Sequence, residues 1–264
     1  MKIALVLMLC AIAAAAPKVE NHKVEVVNNA DWLSTVLEDL TPEQRNILVN
    51  ALVRQLIAFL RYIITNGSSV FGIPVLDPLE LESYHFYLPA GIINLDMTLK
   101  NALATGFGGF VVHKSDLNLR DLTFDVDFTF PKLDISSEHY DLTGNLLHAI
   151  PLFGNGKAEF EIEDFRIKAL LFLKQSEDGN SVLIDRIANA AFEMPNFKSR
   201  VTGVIGGGDI DAIFNAMIED VVIDYVNRFQ GAIAALVSHG ITHFANPFLD
   251  KLDTWRFIAP LLPR

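Results

Sequence analysis

Cysteine is almost missing from this chain: the single one, Cys10, falls within the first ten of 264 residues. No disulfide can brace the remaining residues, so stability has to come from burial. Basic residues are also scarce. With 21 Lys and Arg against 32 Asp and Glu, the formal charge is −11. That balance argues against nucleic acid as a partner, because the cation clusters that neutralise phosphates are missing, and against adsorption to anionic membrane surfaces. Catalytic signatures are lacking as well. Gly106-Phe107-Gly108 is followed by Val111 where a dinucleotide fingerprint requires Gly, and Gly206-Gly207-Gly208 lacks the Lys-Ser/Thr of a phosphate loop. Both glycine clusters read as turns or sheet bends. No Gly-x-Ser-x-Gly elbow occurs. His239 and His243 have a metal-compatible i, i+4 spacing, but Gly240 stands where a zinc protease places its Glu. The expectation is a protein that is not an enzyme and uses no metal or cofactor.

What is present begins with Lys2, an apolar run from Ile3 to Ala13 and small residues up to Ala16 and Pro17. A positive start, a short apolar core and a small-residue end read as a secretory signal peptide over residues 1–16; a spanning helix needs about 20 apolar residues. Residues 17–264 read as a single domain, since no Pro/Gly/Ser-rich linker or charge block divides them. At 51% apolar residues the chain has ample material for an extended core. Asn66-Gly67-Ser68 is an N-glycosylation acceptor, expected on an exposed turn.

Asp31 is placed to cap a short helix carrying Trp32, Leu33, Val36, Leu37 and Leu40. At Thr41 a second helix opens, with Pro42 at its first position and Gln44 completing a capping box. Leu48, Leu52, Leu56, Phe59, Leu60 and Ile63 recur along it every three or four residues. Ile47, Val49, Val53, Ile57 and Ile64 widen that stripe until most of the circumference is apolar, as in a helix buried on several sides or lining something apolar. From Leu81 to Phe192 alternation replaces helical spacing. Leu122, Phe124, Val126, Phe128 and Phe130 alternate with Asp121, Thr123, Asp125, Asp127 and Thr129; Ala158, Phe160 and Ile162 alternate with Lys157, Glu159, Glu161 and Glu163. Asp178-Gly179-Asn180 supplies a hairpin turn. The strands should be long, about 10 to 15 residues against a usual 5 or 6. A final helical pattern starts after Gly208, with Asp209 as expected N-cap, and runs through Phe214, Met217, Val221, Tyr225 and Phe229 and on to Phe244, where Asn246-Pro247 should stop it. Helix, long antiparallel sheet, helix indicates an α+β fold.

Four stretches together resemble the insect haemolymph juvenile hormone-binding protein and takeout family, within the tubular lipid-binding proteins. They are Phe71 to Leu79 (FGIPVLDPL), Leu122-Thr123-Phe124 running to Phe130-Pro131-Lys132-Leu133, Asp141-Leu142-Thr143-Gly144 with Gly154-Asn155-Gly156 and Phe160, and Gly208-Asp209-Ile210 through Phe214-Asn215. The resemblance implies an elongated α+β domain in which a strongly curved antiparallel sheet wraps a long helix, with an internal apolar tunnel. It implies a secreted carrier of a hydrophobic small molecule, such as a juvenile hormone-like terpenoid, a fatty acid or another lipid. The family's N-terminal cysteine pair has no counterpart here, so no hormone-contact residue is carried over. Tunnel candidates come from the apolar faces instead: Phe59, Ile63, Phe110, Phe124, Phe128, Phe160 and Phe214. Tyr84, His85, Tyr87 and Tyr140 are candidate polar anchors. Two alternatives stand beside the carrier. One is a lipid- or membrane-binding defence or transfer protein without stable membrane insertion; the other is an extracellular structural protein with its tunnel closed.

Overall fold

A computed structural model describes residues 41–69, 73–89, 93–146, 150–252 and 254–262. The expected signal peptide, Cys10 and the short helix after Asp31 lie outside them. Helix α1 (Pro42–Asn66) is followed by strands β1 (Leu79–Pro89), β2 (Ile93–Thr105), β3 (Val111–Asn118), β4 (Thr123–Leu146), β5 (Ile150–Gln175), β6 (Val182–Glu193) and β7 (Asn196–Val201). Helices α2 (Asp209–Arg228), α3 (Gln230–Leu249) and α4 (Trp255–Ile258) complete the chain. The seven strands form one antiparallel sheet. Its centre is the β4–β5 hairpin, with arms of 24 and 26 residues, far beyond the 10 to 15 expected. At about 3.3 Å per residue each arm would run about 80 Å if straight.

The hairpin is long because the signals that normally end a strand are absorbed within it. Pro131 falls at a rung where pairing lapses, between Phe130↔Phe165 and Lys132↔Glu163; there it removes no ladder hydrogen bond. Asp164, opposite it, is held at φ 56°. The flanking strands change over at the same level. On one side β2 gives way to β3 across Gly106–Phe110, and on the other β6 gives way to β7 across Met194-Pro195. An irregular line thus crosses the whole sheet and divides it into two sectors. One holds β1, β2 and β7, the other β3 and β6, and the hairpin runs through both.

The capping box of α1 is formed as expected. The Thr41 hydroxyl accepts from the Gln44 N–H at 3.4 Å, and the Gln44 side chain accepts from the Thr41 N–H at 2.9 Å. Beyond α1 the chain folds back on the helix end, where Leu76 and Asp77 donate to the Ile64 carbonyl. The Asp77 carboxylate then accepts from the N–H groups of Gly106 and Gly108 at 2.9 and 2.7 Å, fixing the 3-10 turn Phe107–Gly109. Gly106, at φ 100°, has no alternative residue: a Cβ there would lie 2.0 Å from the Lys132 carbonyl oxygen. So Gly106-Phe107-Gly108 is a turn.

The closed core occupies the first sector. Tyr140, Leu142, Leu152, Ala158, Val201, Val204 and Phe214 are buried together, with Met97, Leu99 and Phe160 packed against them. Tyr140 donates its hydroxyl to the Thr202 carbonyl at 2.8 Å. Burial, with the nearby Asp211 carboxylate, pushes its phenol up to about 12. Gly154 and Gly156 admit the segment after β7, whose Thr202 oxygen would lie 2.2 Å from a Cβ on Gly156.

Among the described residues the outer edge of β6 and β7 has no further strand, and three asparagines from the helices take its place. Each uses its side-chain amide as a peptide group, accepting from the N–H and donating to the C=O of one edge residue. Asn215 of α2 serves Val201 at 2.8 and 2.9 Å, and Asn246 of α3 serves Ile184 at 2.9 and 2.9 Å. Asn227 serves Met194 more loosely, at 3.4 and 3.5 Å. Glu219 adds an acceptor for the Ser199 N–H at 2.7 Å. Both helices are thereby fixed along an edge that would otherwise offer its backbone to another chain.

Two sequence expectations shift here. Asp209 does not cap α2: the N-cap is Gly208, at φ 77°, and Asp209 and Asp211 occupy the first turn, where carboxylates complement the helix dipole. Asp211 instead turns back to accept from the N–H groups of Gly203 and Val204. Nor does Asn246-Pro247 stop the last long helix. Pro247 lies inside α3, two residues before its end, while the break falls at Phe229, between α2 and α3. Asn246 is held in the helix by its bonds to β6, which outweigh the stop signal of the proline behind it.

Asn246→Ala strands both polar groups of buried Ile184 and should lower stability by about 1–3 kcal/mol. Asn246→Asp, which sets a carboxylate against a carbonyl, should cost at least as much; urea-unfolding midpoints measure both. Tyr140 predicts a base-sensitive step. Because its folded-state pKa lies above the free value of 10.0, its contribution is complete below pH about 10 and is lost as pH rises through about 12. Ultraviolet titration should show one of the five tyrosines ionising last, and Tyr140→Phe should remove that step.

Candidate functional site

The second sector carries an aromatic face that is only half closed. Alternation along β4 puts Phe124, Phe128 and Phe130 on one side, and register sets Phe165 of β5 opposite Phe130 and Leu171 opposite Phe124. Phe192 of β6 stands beside Ile167. Phe107 and Phe110 reach in from the turn that Asp77 holds.

Phe130 is the hub. Its ring meets those of Phe128 at 5.4 Å, Phe107 and Phe110 at 6.3 Å each, and Phe165 at 6.4 Å. Phe165 stacks on Phe192 at 6.2 Å, and Phe110 meets Phe128 at 6.1 Å. These are edge-to-face and stacked contacts, each worth about 0.5–1.5 kcal/mol beyond the area buried. Of the six rings only Phe192 is fully buried, at 4% exposure; the others are half-buried.

At one margin of this face α1 packs on the turn and β3. Arg61 donates to the Phe110 carbonyl at 2.7 Å, and its guanidinium lies 4.8 Å from the Phe110 ring centroid. A groove of about 600 Å³ runs there, lined by Arg54, Ile57, Arg61, Phe110, Val112 and Ser115 among others. A second cleft, of about 510 Å³, lies between β6 and α3, lined by Ile187, Ala190, Ala234, Ser238 and Thr242 with Asp185 and Arg186 at its margin.

The sequence candidates divide between the two sectors. Phe110 and Phe128 belong to the aromatic cluster, with Phe124 two positions further along the same strand face. Phe59 and Ile63 lie on α1, half-buried and buried respectively. Phe160 and Phe214 belong to the first sector: Phe214 is a member of the closed core, and Phe160 packs against that core while stacking on Phe197 at 5.9 Å. Among the polar candidates, Tyr84, His85 and Tyr87 are exposed on β1, with His85 bonded to Asp96 at 2.8 Å. Tyr140 has committed its hydroxyl to Thr202. Asn66 is exposed at the end of α1, its amide nitrogen donating to the Tyr62 carbonyl at 3.0 Å.

Phe107, Phe130, Phe165 and Phe192 are the cluster members that sequence reasoning missed. Phe130 was visible in the same alternating run as Phe128. Phe165 was masked by a change of parity, since the apolar positions of β5 are even up to Ile162 and odd from Phe165, across Asp164.

Apart from Tyr140 in the closed core, the perturbed titrations lie among ion pairs of the strand faces and not in this cluster. Hydrogen bonds from Lys198 and then Lys132 hold the Glu161 carboxyl down at about 2. Arg166, bonded bidentately to Asp127 at 2.8 and 2.6 Å, lowers that carboxyl as well. No group of three or more metal-ligating side chains occurs among the described residues. The arrangement offers apolar surface and a cationic margin, which is the chemistry of binding.

A family model described as haemolymph juvenile hormone binding protein matches residues 26–259. Among solved structures, Takeout 1 of Epiphyas postvittana superposes with a TM-score of 0.55 at 18% identity, covering 76% of this chain and 93% of that one. Lipopolysaccharide binding protein gives a TM-score of 0.35 at 9% identity, covering 75% of this chain and 38% of that one. No curated protein matches the sequence. The Takeout 1 likeness is one of fold: a large curled antiparallel sheet with a long helix. With the family model spanning almost the entire chain, the protein belongs to the haemolymph juvenile hormone binding protein family.

Proposed function

We propose that this protein is a secreted carrier that holds a hydrophobic small molecule or lipid against the aromatic sector. The half-closed phenylalanine cluster around Phe130 carries the reading. Aromatic rings left half-exposed in contact with one another retain apolar surface that a ligand can cover, whereas the neighbouring core of Tyr140 and Phe214 is already full. Covering about 400 Å² of ligand apolar surface at about 25 cal/mol/Å² supplies roughly 10 kcal/mol before association costs, enough for useful affinity. Membership of a family named for hormone binding supports the carrier role, as does the apolar start of residues 1–16 for export.

α1 has a stretch, Asn46–Asn66, long and apolar enough to cross a membrane. Arg54 stands near its middle, where a bilayer imposes a cost of about 2.5–3.5 kcal/mol, and the helix packs on β3. These two features count against a span, although most of the stretch is exposed, including Ile47, Leu56, Leu60 and Tyr62. One observation does favour the lipid-surface alternative: Ile213, Met217, Val221, Tyr225 and Phe229 form an exposed stripe along α2, with Ile213 at 70% exposure. Co-sedimentation with phosphatidylcholine vesicles, lost on Ile213→Glu, would move the function to that surface.

Native mass spectrometry of the secreted protein should show an excess of a few hundred daltons over the denatured chain, and a neutral fluorescent probe should compete with the extracted ligand. Phe130→Asp should weaken probe binding by tenfold or more while Phe160→Leu leaves it nearly unchanged. No excess mass and no probe binding would mean a sheet that keeps the fold without the carrier role. Secretion and modification make their own prediction. Expressed in a secretory eukaryotic cell, the mature chain should begin near Pro17 and lose one glycan on enzymatic deglycosylation, a mobility shift that Asn66→Gln abolishes.

A further inference from the structure

The charge of α1 runs against that of the rest of the chain. Within a protein of formal charge −11, this helix carries Arg45, Arg54 and Arg61 and a single acidic residue, Glu43. Arg54 and Arg61 both line the groove against β3, together with Ile57, Phe110, Val112 and Ser115. Their seven-residue spacing is two helical turns, about 10.5 Å along the axis, so they stand on one face of α1. Arg54 is exposed and makes no ion pair or hydrogen bond with the described residues. Arg61 is held over the Phe110 ring by one bond to the Phe110 carbonyl, and the other donors of its fork remain available. Asp77, which fixes the turn bordering the groove, is committed to the N–H groups of Gly106 and Gly108, and neither Asp77 nor Asp116, next to the groove-lining Ser115, forms an ion pair with Arg54 or Arg61 among the described residues.

We propose that this groove binds the anionic head of a long-chain amphiphile of the fatty-acid type, with Arg54 and Arg61 as its anchors and the aromatic sector as the seat of its chain. The inference rests on the carrier reading and adds the ligand's class and orientation to it. Phe110 joins the two regions. Its ring lies beneath the Arg61 guanidinium, 4.8 Å from the centroid, and also meets Phe128 and Phe130 at 6.1 and 6.3 Å. A carboxylate at Arg61 therefore directs its chain across Phe110 towards Phe130 and Phe165. Arginine suits this task because its planar fork pairs bidentately with a carboxylate and is more weakly hydrated than an ammonium. A neutral head of the same length lacks the charge-assisted bonds and should bind about tenfold or more weakly.

The test uses the full secreted chain and displacement of the neutral probe N-phenyl-1-naphthylamine by oleate and by oleyl alcohol. Wild type should prefer oleate by about tenfold or more. The Arg54→Gln, Arg61→Gln double variant should lose that preference while still binding the alcohol, and the Lys, Lys variant should retain part of it. If the double variant fails to fold, Arg54→Gln alone, at an exposed position without a partner, should still reduce the preference. Equal displacement by acid and alcohol in wild type, or a preference that survives both Gln substitutions, overturns the anchor and leaves the carrier standing. Failure of the probe and of both ligands to bind overturns the carrier reading and this inference together. Co-sedimentation with phosphatidylserine vesicles that depends on Arg54 would also overturn it, assigning the two arginines to a membrane surface.

Discussion

Among the described residues, backbone N–H and C=O groups along the outer edge of β6 and β7 have no strand to pair with, and the placement of the helices depends on their being satisfied. Asn215, Asn227 and Asn246 meet the need one residue at a time, each presenting an amide that copies the geometry of a neighbouring peptide. Apolar packing alone would hold α2 and α3 against the sheet with little directional preference. Paired donors and acceptors specify the position of each helix relative to a particular residue.

Once the helices are fixed, the two sectors of the long hairpin differ in how completely they are covered. Where the segment after β7 crosses β5, Gly154 and Gly156 allow its close approach, and with Phe214 of α2 the core around Tyr140 closes. Beyond the irregular line at Pro131 and Asp164 the strand faces carry phenylalanines in place of glycines, and of the clustered rings only Phe192 is fully buried. The rings meet edge to face or stacked and leave apolar area uncovered. A sheet with one full sector and one unfilled sector can gain from a ligand in the second without depending on it for stability in the first.

Charge is arranged on the same plan. Ion pairs such as Glu161 with Lys198 and Lys132, and Asp127 with Arg166, neutralise most cations of the strand faces locally. Arg54 and Arg61 of α1 have no carboxylate partner among the described residues, and they border the unfilled sector. Unpaired positive charge next to unfilled apolar surface, in an otherwise acidic protein, matches a molecule with an acidic head and an apolar tail.

The amino-acid sequence by itself determined the local structure. The capping box at Thr41, the alternation from Phe124 to Phe130, the Asp178-Gly179-Asn180 hairpin and the reading of both glycine clusters as turns follow from propensity and periodicity over a few residues, whereas Leu122, read into the same run, sits in the turn before β4 at φ 49°. Order of elements then gave the α+β class. Tertiary structure alone decided which apolar residues close a core and which line an open face. Phe128 and Phe214 look alike in sequence, because alternation or helical spacing reports that a residue shares a face with its neighbours and carries no information about what that face meets. The parity change at Asp164 hid Phe165 for the same reason: a single residue at φ 56° resets the two-residue period. Contacts between residues distant in the chain, such as Arg61 with Phe110 and Asn246 with Ile184, likewise appear only when the strands are in register. They depend on the long-range geometry of the sheet, which no window of the sequence contains.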